Sequence, residues 1–167
     1  MPICELLLNE FDEEMKKTRT ILERVPEDKA DFAPHPKSMV LGKLAPHVAE
    51  LAGFGATILT TPELDFSNAG NRPRPPFEST GLLKAFDENV AKARIALQSM
   101  KEDAWTQPWK LSLQGKPIFS GSRFLAYRQM FLNHLVHHRA QLGVYLRLNE
   151  KPLPATYGPS ADDRMGF

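Results

Sequence analysis

SRFLAYRQMFLNHLVHHRAQLGVYLRL, residues 122–148, is the stretch on which the fold turns. Tyr127, Phe131, His134, His138, Leu142 and Tyr145 recur at steps of three and four, the inner stripe of an amphipathic helix. Ser122 stands where an N-cap belongs, its hydroxyl placed to accept an amide of the first turn. Two stripe positions are histidine where the pattern asks for an apolar side chain.

Three further stretches carry the same period. In residues 2–25 the inner stripe reads Leu7, Phe11, Met15, Thr18, Leu22 and Val25, with Glu13, Glu14, Lys16 and Lys17 on the outer face and Pro26 as the stop. Residues 39–60, with Ser38 as cap, offer Leu44, His47, Leu51, Phe54 or Gly55, and Ile58, so a histidine again takes an inward position. Residues 80–100 open at Ser79 or Thr80 and align Leu83, Phe86, Val90, Ala93, Leu97 and Met100. The connections 26–38 and 61–79 are Pro-rich, and loops as long as the second often border functional sites. Within 101–120, Trp109, Leu111 and Leu113 alternate, and Gln114-Gly115 marks a turn before Ile118-Phe119. A short two-stranded hairpin and an irregular connection both fit this segment. The tail, LNEKPLPATYGPSADDRMGF, reads as extended. Four amphipathic helices with one apolar stripe each predict an all-α fold, a four-helix bundle with long loops, spanning 1–167 as one domain.

Twenty-one Lys and Arg against 20 Asp and Glu give no electrostatic pull toward nucleic acid or a membrane surface, so neither is expected as a partner. The single cysteine, Cys4, allows no intrachain disulfide and favours an intracellular chain. The start, MPICELLLNEFDEE, turns acidic where a signal peptide would be basic, and no apolar run approaches the ~20 residues of a membrane span. The expected location is the cytoplasm.

His134 and His138 lie one turn apart and about 40° apart in azimuth, which lets both imidazoles converge on one ion. His137 lies about 100° round the helix from His138. A His134/His137 pair remains open on spacing alone, but the inward row of the stripe prefers His138. A bundle-core site needs a ligand from a facing helix, and His47 is the one other histidine on an inner stripe; His35 sits in a Pro-rich loop. Three neutral imidazoles suit zinc, nickel, copper or iron better than magnesium or calcium. Three protein ligands also leave coordination positions open, as in catalytic sites. Arg139 and Gln141 flank the pair and could orient ligands or face solvent, and Glu50 could support the site or be solvated. Cys4 reads as a small buried hydrophobe, and Trp105 and Trp109 as packing residues. No phosphate loop and no nucleophile elbow is present.

The block NHLVHHRAQLGVYLRLNEKPLPATYGPSADD, residues 133–163, resembles the H-x3-H-R-x-Q-L helix, Pro-containing turn and Y-G-P-S-A-D tail of the DinB-like family, whose superfamily includes YfiT-like proteins. KLAPHVAELAGF, 43–54, is similar to that family's single-histidine helix. One departure is Ala140, where the family usually has glycine. The resemblance implies an up-down-down-up bundle whose metal, zinc or nickel, is held by His47, His134 and His138, often in a homodimer. It further implies a small-molecule substrate. Characterised relatives are transferases or isomerases that use a low-molecular-weight thiol; a metal-dependent hydrolase and a non-catalytic metal-binding stress-response module are the other readings.

Overall fold

The structure, a computed structural model, describes residues 2–68 and 74–164. Residues 69–73 of the expected 61–79 loop, and the ends of the chain at 1 and 165–167, lie outside the described residues. The helices are α1 (Ile3–Leu22), α2 (Leu41–Thr60), α3 (Ser79–Gln98), α4 (Arg123–Ala126) and α5 (His134–Leu148). A π-helical stretch, Tyr127–Asn133, joins α4 to α5, so that the last three form one continuous rod.

Cross-helix contacts give the directions. Arg19 holds Asp87 and Arg94 holds Asp12, so α1 and α3 run antiparallel. Glu10 pairs with Arg128 and Thr18 accepts from Arg139, so α1 and the last rod run parallel. Asn89 donates to the Ala49 carbonyl, while Leu59 and Thr60 share a cleft with Ile95 and Ser99, so α2 and α3 also run parallel. The end of α2 and the start of α3 therefore lie at opposite ends of this helix pair. Arg123, whose guanidinium takes the Ile58 and Thr61 carbonyls, closes the C-terminal end of α2 against the start of the last rod.

The expectation of an all-α fold is wrong. β1 (Glu63–Asp65), β2 (Pro108–Leu113) and β3 (Lys116–Ser122) form a three-stranded sheet in the order β1-β2-β3, with β1 parallel and β3 antiparallel to β2. The physical reason is twofold. The alternation at Trp109 and Leu111 is a strand signal, and both side chains are buried while Leu113 faces solvent. Gln114 and Gly115, at φ 52° and 73°, make the two-residue turn of a hairpin, the alternative that the sequence left open. β1 is held by polar contacts instead: the Asp65 carboxylate accepts from the Ser112 hydroxyl and from the Gln114 and Gly115 amides.

Two other expectations need correction. Glu14 is buried rather than on the outer face of α1, for reasons that appear below. Of the expected caps only Ser122 acts as one, accepting from the Leu125 amide; Ser38 does not cap α2, which starts after Val40. Ser79 is the first residue of α3, its amide capped by the distant carboxylate of Glu27.

Candidate metal centre

His47 lies in the first half of α2, and His134 and His138 lie one turn apart at the start of α5. Because α2 runs antiparallel to α5, these turns meet. The Nε2 of His134 is 3.5 Å from that of His47 and 2.8 Å from that of His138. Nitrogens bound tetrahedrally to one ion at ~2.0–2.1 Å stand about 3.3 Å apart, so the three are nearly in place. All three rings are half-buried, at the rim of the core rather than in it. The wide turns of the π-helical stretch come immediately before His134, as such turns often do at functional sites.

The hydrogen bonds decide which nitrogen of each α5 ring is free. The Met130 carbonyl can only accept, so the His134 Nδ1 at 3.3 Å carries the proton. The Gln141 amide oxygen, 2.7 Å from His138 Nδ1, does the same for that ring. With those tautomers both Nε2 atoms face each other across 2.8 Å with their lone pairs directed inward, as two ligands of one ion would be. Burial, chiefly, lowers the pKa of all three rings. His47 is pushed down to about 4, with the neighbouring histidines and Arg74 adding to the effect. The bonds to Met130 and Gln141 oppose but do not reverse the shift at His134 and His138. The triad is thus neutral at neutral pH, as ligation requires. The donor set, all imidazole nitrogen, fits a transition metal, and the three histidines could hold one.

The remaining candidates separate cleanly. His137 points to solvent and His35 is exposed in its loop. Gln141 supports His138, whereas Arg139 is turned the other way, into the core against α1. Glu50 is half-buried one turn past His47. Trp105 and Trp109 are buried packing residues, and Cys4 is partly buried against the core. Missed in the sequence were Arg74, whose charge reaches His47, and the partners of Arg139, Glu14 and Tyr157. The i, i+3 spacing of His138 and Gln141 is a signal that could have promoted the glutamine; nothing comparable marks Arg74.

The bundle and its converging imidazoles define a helical protein with an all-histidine site able to hold a metal ion. The family model of the DinB superfamily matches residues 10–142, and the chain belongs to that superfamily. Its fold is similar to that of a DinB-like protein from Bacillus subtilis, with 19% identity, a TM-score of 0.66 and coverage of 96% of this chain and 99% of the other. It is also similar to a DinB-like protein from Bacillus cereus ATCC 10987, with 17% identity, a TM-score of 0.65 and coverage of 90% and 95%. No curated protein matches the chain in sequence. No helix among the described residues is long and apolar enough to cross a membrane.

Proposed function

We propose that this protein is a metal- and thiol-dependent transferase, joining a low-molecular-weight thiol to small electrophiles at a zinc or nickel ion held by His47, His134 and His138. The observation that carries the reading is the pair of facing Nε2 lone pairs on His134 and His138, with His47 closing the third side. A metal ion there would supply Lewis acidity that favours the thiolate form of a bound thiol. Three ligands leave room beside them for that thiol. Arg74 adds a small positive potential at His47, which favours a thiolate or a carboxylate-bearing thiol. In the transfer the sulfur lone pair forms the new C–S bond, the leaving group departs with its bonding pair, and the thiol proton goes to solvent.

A hydrolase would want a carboxylate beside the ion to take a proton from water. Among the described residues the ligand cluster is all histidine, so a hydrolytic base would have to come from outside it. The test is conjugation of monochlorobimane with glutathione, cysteine, bacillithiol and mycothiol by zinc- and nickel-loaded protein, with His47→Ala as control. Turnover with one thiol, lost in the variant, is the expected result. Loaded protein that turns over none of them, or that hydrolyses esters without thiol, overturns the reading.

A further inference from the structure

Arg139 follows His138 directly, yet its guanidinium is 3% exposed and aimed at α1. One nitrogen lies 2.6 Å from the Glu14 carboxylate and donates to the Tyr157 hydroxyl at 2.7 Å; the other donates to the Glu14 carbonyl and the Thr18 hydroxyl. The Tyr157 hydroxyl in turn donates to Glu14 at 2.7 Å, closing a three-membered cluster across α1, α5 and the tail. Burial raises the Glu14 pKa, but the bonds from Tyr157 and Arg139 outweigh it and keep the carboxylate ionised. Such a buried charge pair is a weak source of net stability, so its use lies in fixing geometry.

Leu135, Leu142, Tyr145 and Leu146 bury one face of α5 while Val144 and Leu148 face solvent, and Arg139 is the polar member of that buried face, so its partners bear directly on how far the helix is rotated. The tail leaves a groove of about 460 Å³ beside α5 and reaches the helices through Tyr157 and the Arg147–Asp162 pair, while Ser160 on the Leu153 carbonyl folds the tail on itself. A rotation of about 10° would move a ligand atom ~6 Å from the helix axis by about 1 Å. Metal–ligand distances hold to roughly 0.2 Å.

We infer that the Glu14–Arg139–Tyr157 cluster is a positioning device, through which the C-terminal tail sets the rotation of α5 and with it the convergence of His134 and His138 on His47. This rests on the triad holding a metal, not on the transfer reaction.

The experiment compares the full-length chain with Tyr157→Phe, Arg139→Lys and, as a control distant from the site, Asp65→Asn. Zinc affinity is measured by competition with a chromophoric chelator, and the cobalt(II)-loaded proteins are compared by visible absorption. Far-UV circular dichroism checks folding at the assay temperature. Tyr157→Phe removes only a hydroxyl from a largely exposed ring and is expected to weaken zinc about 3–10-fold; Arg139→Lys, which keeps the charge but loses the fork, about 10–100-fold. Both should shift the cobalt spectrum, while Asp65→Asn lowers Tm and leaves affinity and spectrum unchanged. If Arg139→Lys does not fold, Tyr157→Phe decides alone. Variants with a lower Tm but wild-type affinity and spectrum overturn the inference and leave the metal site standing. A wild-type chain that takes up neither metal overturns both.

Discussion

His134 and His138 confront each other with two lone pairs at 2.8 Å, and protons and metal ions compete for that position. In the metal-free chain the folded state resists protonation, since burial holds the three imidazoles below their ordinary value, with His47 at about 4. Between about pH 6.5 and 4 the unfolded chain therefore binds more protons at these sites than the folded one. Stability from this source is complete above pH 6.5 and is lost as the pH falls toward 4. Discounted for solvent screening, the His47 share is on the order of 1–2 kcal/mol, or roughly 3–6 °C in Tm. Thermal scans of chelated protein at pH 7 and pH 4.5 should show a fall that His47→Gln reduces. The three histidines that cluster were legible because each occupies an apolar-stripe position on a long helix, where a polar residue stands out. Glu14 was not, since a charged residue beside Glu13 and Lys17 looks like any solvated neighbour until Arg139 and Tyr157 are placed against it.

At the scale of elements, the close approach of α2 to the π-helical stretch depends on Gly55. A Cβ there would lie 2.7 Å from the ring of Phe131, which is fully buried and has nowhere to move. Gly55→Ala should cost about 1–3 kcal/mol, a Tm drop of roughly 3–10 °C by calorimetry. The hairpin turn has the opposite margin. Gln114 is held at a positive φ that asparagine adopts more readily, so Gln114→Asn should stabilise by roughly 0.5 kcal/mol in urea unfolding. The turn and the four helical periods were readable because their determinants are local. β1 was not, since three residues cannot display a period and their strand is held by Asp65 reaching across to a turn some 50 residues later in the chain. The starts of α1 and α3 were placed to within a residue, but the groups that accept from their first amides, Glu102 and Glu27, lie 99 and 52 positions away and were not readable locally.

For the whole molecule, a metal at the triad would tie α2 to α5, which meet only in the folded state. Such a ligand stabilises by RT ln(1 + [L]/Kd), about 4 kcal/mol at a thousandfold excess over Kd. Adding zinc to chelated protein should raise Tm by roughly 8–16 °C, and His47→Ala should abolish the rise while leaving the metal-free Tm within a few degrees. An unchanged Tm in the wild type would mean that the triad binds no metal with useful affinity. The separation in sequence between His47 on α2 and Tyr157 in the tail has a consequence for biosynthesis. At 5–20 residues per second the ribosome needs roughly 5–20 s to proceed from His47 to Tyr157. Until His138 is made the triad is incomplete, and until Tyr157 is made its helix lacks the tail's contact with Arg139 and Glu14. A metal ion bound by all three histidines would therefore be acquired late, and the supply of ion at that moment would decide what the triad holds.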